Sequence, residues 1–116
     1  MAPIKHWLPG SRKGIFPSCT QELRSTAYIL SVLSNPMRLS IMLRLSEGEL
    51  TMRELSTAIS LKVNTINSHL GQLRQGGLVA AEQKGAHTYH SLTDKGKHMV
   101  RFVKETFAVV DVPLPS

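Results

Sequence analysis

One stretch constrains this chain more than any other: Leu61-Lys62-Val63-Asn64-Thr65-Ile66-Asn67-Ser68-His69-Leu70-Gly71-Gln72-Leu73, closed by Gly76-Gly77. Ile66, Leu70 and Leu73 recur at helical spacing, with Val63 one turn earlier. This predicts a helix with one apolar stripe able to anchor in a core. Its outward positions carry Asn64, Thr65, Asn67, Ser68, Gln72, Arg74 and Gln75. A solvated helix face is built more often from Glu and Lys. A face of amides and hydroxyls suits the edges of DNA bases, where Asn or Gln pairs bidentately with adenine and short hydroxyls contact either strand. A polar surface helix of no special role would carry the same residues, so the surroundings must decide.

Those surroundings favour DNA. The net charge of +6 is the electrostatic footprint of a phosphate-binding surface, and the cations are scattered instead of run together in a basic tail. Aromatic residues, at 5%, are too scarce for a platform that stacks single-stranded bases. With 116 residues the chain is expected to form one domain with a small core. Cys19 is the only cysteine, which excludes an intrachain disulfide framework and a cysteine-based zinc site within one chain, and fits a reducing cytoplasm. Lys5, Arg12 and Lys13 are not followed by the apolar run of a secretory signal, and no window is long enough to span a membrane. The expectation is therefore a cytoplasmic protein with no membrane partner. No acid–base pair, nucleophile–base arrangement or phosphate loop stands out, and Gly76-Gly77 reads as a helix terminator. An enzyme is not expected, nor a cofactor.

Along the chain, residues 1–17 read as an irregular arm, with Pro3, Pro9, Gly10, Gly14 and Pro17 breaking it and Trp7 among the apolar groups that would dock it. Residues 18–111 read as the domain and 112–116 as a short tail. Ser18 with Gln21 predicts a capping-box start to a helix striped with Leu23, Ala27, Leu30 and Leu33. Asn35-Pro36 starts a second helix that is apolar almost all round and belongs at the centre. Thr51 and Glu54 form a capping box for a third helix, and Ser60-Leu61-Lys62 turns into the amide-rich one. Two extended runs, residues 78–82 and 87–92, flank Gln83-Lys84-Gly85-Ala86 as a hairpin. Thr93 is placed to cap a last helix striped with Met99, Phe102, Val103, Phe107 and Val110. The fold expected is mainly α with a small β-hairpin, a winged helix–turn–helix in the order α-α-α-α-β-β-α.

The same residues carry a family resemblance. Leu33-Ser34-Asn35-Pro36-Met37-Arg38-Leu39 resembles the "L-x-x-P-x-R-L" of the ArsR/SmtB repressors, and Glu49-Leu50-Thr51 through Glu54-Leu55 their "E-L-x-x-x-E-L". Residues 65–73 match "T-[VI]-S-x-H-L-x-x-L", Gly76-Gly77-Leu78-Val79 matches "x-G-L-V", and Gly85 to Leu92 resembles "G-R-x-V-Y-Y-x-L". The resemblance covers residues 28 to 94, in order and in register. It implies a homodimeric repressor that dimerises through its first and last helices and binds a palindromic double-stranded operator. DNA-binding positions expected from the residues and the resemblance together are Lys62, Asn64, Thr65, Asn67, Ser68, His69, Gln72, Arg74 and, at the wing, Lys84. His69 is expected to be structural or phosphate-facing. Lys62 departs from the family's Ser cap and Val63 from its common polar residue. Tyr89-His90-Ser91-Leu92-Thr93-Asp94-Lys95-Gly96 is also similar to the "Y-x-L-T-x-x-G" of MarR- and PadR-type winged helices, regulators of small-molecule response.

Many ArsR/SmtB relatives sense metals, and their ligand positions can be compared one by one. The third-helix site needs thiolates where this chain has Thr51 and Arg53. The last-helix zinc site needs an Asp-x-His pair and two further ligands. Asp94 matches its first position, but Gly96, Phe107 and Val110 stand at the others. No metal site is expected. His87 and His90 lie three apart on a strand and should face opposite sides. Cys19, near a predicted helix start, is a possible redox residue, so the alternatives are a redox-responsive repressor acting through Cys19 or a MarR/PadR-like regulator of small-molecule response.

Overall fold

Thr20, not Ser18, starts the first helix. In the computed structural model, which describes residues 20–107, the Thr20 hydroxyl accepts from the Leu23 N–H and α1 runs Gln21–Leu33. Ser18 with Gln21 three residues on has the spacing of a capping box, but the cap forms two residues later. The cap actually used has Leu23 at that offset, which cannot reach back, so only half the box forms. Ser18 itself, Cys19, Trp7 and the arm over 1–17, Val110 and the tail over 112–116 lie outside the described residues.

The next two helices start as their sequences dictate. Asn35 Oδ1 accepts from the N–H groups of Met37 and Arg38, Pro36 takes the first position, and α2 runs Pro36–Leu45. Thr51 and Glu54 close a reciprocal capping box at the head of α3, Met52–Ile59. Immediately before it comes an unforeseen two-residue strand, β1 (Leu50–Thr51). After α4 (Val63–Gln75), β2 (Val79–Lys84) and β3 (His87–Leu92) form the hairpin, and α5 (Asp94–Phe107) completes the order α-α-β-α-α-β-β-α. The sheet is antiparallel in the order β1-β3-β2, with Leu50 opposite His90 and Lys84 opposite His87. β2 extends two residues beyond the expected run, through Gln83 and Lys84. That leaves Gly85-Ala86 as the turn, with Gly85 at the positive φ of 62° that a tight hairpin requires.

The core gathers around α2. Ile41, Met42 and Leu45 meet Val32 and Leu33 of α1, Leu55 of α3, Ile66, Leu70 and Leu73 of α4, and Val100 of α5. Each such fully buried aliphatic side chain contributes about 1.5–3 kcal/mol relative to its exposed state. The expected stripe of α4 is corrected at one place: Val63 is 45% exposed, because it sits in the first turn at the edge of the buried side. On α1 and α5 only part of each apolar stripe enters this core. Leu23, Leu30, Phe102 and Phe107 remain exposed.

The junction after α4 is tightly built. Leu78 N–H bonds to Leu73 C=O and Gly77 N–H to Arg74 C=O, a Schellman closure with Gly77 at φ 72°. Thr93, as expected, caps α5: its hydroxyl accepts from Gly96 N–H while donating to Gly77 C=O. Gly96 itself is packed so closely that a Cβ there would lie 2.1 Å from the Leu78 carbonyl oxygen.

Candidate nucleic-acid interface

The presentation of α4 begins in the turn before it. Ser60 takes a left-handed φ of 63°, and the N–H groups of Ser60 and Leu61 both reach the Ser56 carbonyl. The Ser56 hydroxyl donates to the Leu61 carbonyl, closing the three-residue turn between α3 and α4. With Ile66, Leu70 and Leu73 fully buried, the opposite side of α4 can point only outward. Lys62, Asn64, Thr65, Asn67, Ser68, Gln72 and Arg74 are all exposed. At 3.6 residues per turn Asn64, Ser68 and Gln75 run down the side opposite the core, with Thr65 and Gln72 on one flank and Asn67 and Arg74 on the other. Lys62 gives α4 no side-chain cap and stands exposed at the helix head, about 18 Å along the axis from Arg74.

His69 differs from the rest of that set. It is half-buried, and its Nδ1 accepts from Arg38 Nε at 3.4 Å, while Arg38 Nη1 donates to the Val32 carbonyl at 3.1 Å. Burial, and then the Arg38 charge, hold the imidazole below its ordinary pKa. A second link joins the far end of α4 to α1, where Tyr28 Oη donates to Gln75 Oε1 at 3.1 Å. Neither partner was singled out in the sequence. Arg38 lies inside "L-x-x-P-x-R-L", but nothing in that motif points to a partner 31 residues away.

Lys84 ends β2 at the wing turn, but its charge is not free. Its ammonium sits 2.7 Å from Glu49 Oε2, in the loop before β1, and 5.6 Å from the centre of the Tyr89 ring. The hydrogen bond to Glu49 raises the lysine above its ordinary pKa. A phosphate would have to displace Glu49. At the root of the wing, His90 is 3% exposed and its Nδ1 has no hydrogen-bond partner, whereas His87 is exposed, as strand alternation requires. Burial, then Arg74, lowers the His90 pKa.

Two of the positions compared with family metal sites are already committed within the fold. The Thr51 hydroxyl serves the capping box, and the space beside Gly96 is filled by the Leu78 carbonyl. Among the described residues no group of three His, Cys, Asp or Glu gathers as a metal would need, and no helix is long and apolar enough to cross a membrane.

Comparison with known proteins agrees with this architecture. Residues 33–81 match a family described as a helix-turn-helix domain. The chain is 31% identical over 88 residues to a biofilm growth-associated repressor of Xylella fastidiosa, covering 72% of this chain and 77% of that one. It is 27% identical over 92 residues to the transcriptional repressor SmtB of Mycobacterium tuberculosis, covering 79% and 67%. Its fold matches a solution structure from Mycobacterium bovis, a homodimeric winged helix–turn–helix DNA-binding domain described as a possible ArsR-family regulator. That match has a TM-score of 0.68 at 22% identity and covers 84% of this chain and 94% of that one.

Proposed function

The chain belongs to the ArsR/SmtB family of winged helix–turn–helix, DNA-binding transcriptional regulators, and from that premise we propose that it is a homodimeric repressor of a palindromic operator. The observation that carries the reading is the exposed face of amides and hydroxyls on α4, held outward by three side chains with no solvent exposure. In a winged helix such a helix enters the major groove, with the hairpin along the flanking backbone. Asn64, Thr65, Asn67, Ser68 and Gln72 are assigned to base edges. Lys62, Arg74 and Lys84 are assigned to phosphates, with Lys84 exchanging Glu49 for the backbone. His69 is assigned to holding the helix.

Dimerisation is supported by the apolar surface that the core leaves over. Leu23 and Leu30 on α1 and Phe102 and Phe107 on α5 are exposed on the two elements at the ends of the described chain. Burying them against a second copy about a two-fold axis would set two α4 helices one turn of DNA apart, about 34–36 Å. Repression then follows from occupying the operator in the cytoplasm, where the promoter is.

Selection of binding sites from random duplex DNA, followed by footprinting, tests this. The expected product is an inverted repeat with half-sites about one helical turn apart. A selection that enriches no sequence, or a chain that sediments as a monomer at micromolar concentration, would overturn it.

A further inference from the structure

α4 breaks local rules that the rest of the chain keeps. It has no side-chain cap at Lys62, it exposes Val63, and it carries Gly71 in its interior. Each of the other described glycines has an internal reason. Gly48, Gly77 and Gly85 occupy positive φ, Gly96 is pressed against a carbonyl, and Gly76 closes the helix. Gly71 has none: its backbone is helical, and a Cβ built on it meets nothing within 4 Å. A glycine inside a helix lowers stability relative to alanine, through backbone entropy, and nothing among the described residues requires it here. Where local sequence contradicts local structure without internal compensation, the compensation is sought in a ligand.

The position of Gly71 says which ligand. It lies three residues beyond Ser68 and seven beyond Asn64, one and two turns along the outward side, half-buried only by its own helix backbone and turned about 100° from Leu70 and about 160° from Leu73. We propose that Gly71 is the point where the major-groove edge of the operator comes against the backbone of α4, a close approach that a Cβ would block. This deepens the DNA-binding reading and rests on it. The missing side chain lowers the middle of the helix into the groove. The longer side chains of Asn67 and Gln72 then reach base edges from either flank.

Two variants and two readouts test it on the full chain, using the duplex recovered by selection. Gly71→Ala should raise the thermal midpoint by several degrees, about 4–8 °C for a domain of this size, because a better helix former enters open space. The same change should weaken binding about tenfold or more, as overpacking does at a close contact. Gly71→Leu, also a good helix former, should weaken it further. The slope of affinity against salt should not change, since no cation is removed. Gly71→Ala binding within about twofold of the parent would overturn the contact while leaving the DNA reading intact. A lowered thermal midpoint would also overturn it, by showing an internal role for the glycine. If the parent chain binds no duplex at all, the DNA-binding reading fails and this contact falls with it.

Discussion

Arg38 Nε donates to His69 Nδ1, and the same guanidinium holds the Val32 carbonyl, so one side chain ties the end of α1 to the middle of α4. An imidazole that accepts at Nδ1 carries its proton on Nε2 and must stay neutral. Protonation would remove the acceptor and set a second cation beside Arg38. His69 and His90 are both held below the ordinary histidine value of 6.5, chiefly by burial.

The pH dependence follows. Below 6.5 and above the lowered folded values, the unfolded chain binds more protons than the folded one. Stability is therefore complete above about pH 6.5 and is lost as pH falls through the folded values. Denaturant midpoints should stay level from about pH 8 to 7 and drop towards pH 5. His69→Asn, whose amide oxygen can replace Nδ1 as acceptor, should soften that drop, and Arg38→Met should cost about 1–3 kcal/mol by leaving two groups unpartnered. DNA affinity should fall with the same acidification. Tighter binding at low pH that vanishes in His69→Asn would show instead that His69 faces phosphate as a cation.

Gly96→Ala should be one of the most damaging single-methyl changes in the chain. The added carbon would fall 2.1 Å from Leu78 O, at the point where Thr93 already binds Gly77. Backbone must move, and α5 would separate from the hairpin junction. A loss of about 1–3 kcal/mol or more is expected in equilibrium unfolding. An unchanged midpoint would mean that α5 does not pack against that carbonyl.

Much of this was legible in the sequence because it was written in local chemistry. Asn35-Pro36, Thr51 with Glu54, Thr93 and Gly85 each specify a cap or turn within a few residues, and each does so in the structure. Ile66, Leu70 and Leu73 fixed the orientation of α4 through spacing alone. What stayed hidden depends on partners distant in sequence. β1 is two residues long, too short to alternate, and exists only because β3 lies beside it. Arg38 and His69 are 31 residues apart and Glu49 and Lys84 are 35 apart, so no pattern in either segment announces the other. Lys84 therefore looked like a free phosphate ligand when its charge is already matched.

That match predicts a gain of function. Glu49→Gln should release the Lys84 ammonium and strengthen binding to every duplex about equally, with a salt slope steeper by about one counterion. Lys84→Gln should do the reverse. Electrophoretic shifts across a salt series, on operator and unrelated DNA, read both. If either change alters sequence preference instead, the wing is reading bases.

Metal should not govern release from DNA. A hydroxyl committed to a helix cap at Thr51, the cation of Arg53 and a glycine without room for a side chain at Gly96 stand where family sites hold ligands. Titrating zinc, cadmium, nickel or arsenite into the operator complex should leave affinity unchanged. Stoichiometric binding of any one with loss of DNA would contradict this and point to ligands outside residues 20–107.

Asn67 and Ile66 are neighbours in sequence with opposite fates, and that contrast gives the sharpest test of the interface. Ile66 has no solvent exposure, while Asn67 is exposed and is not among the core residues. Removing the Ile66 side chain to alanine opens a cavity beneath α4 and should cost about 2–5 kcal/mol of stability. Asn67→Ala removes no core contact, so its unfolding midpoint should barely move. If Asn67 pairs bidentately with adenine, its loss should relax discrimination at one position per half-site by about 1–3 kcal/mol. Repeating the selection with Asn67→Ala reads this directly, as one degenerate column in an otherwise unchanged operator. An operator preference identical to the parent's would transfer base reading to Asn64 or Gln72, two further exposed amides of the helix.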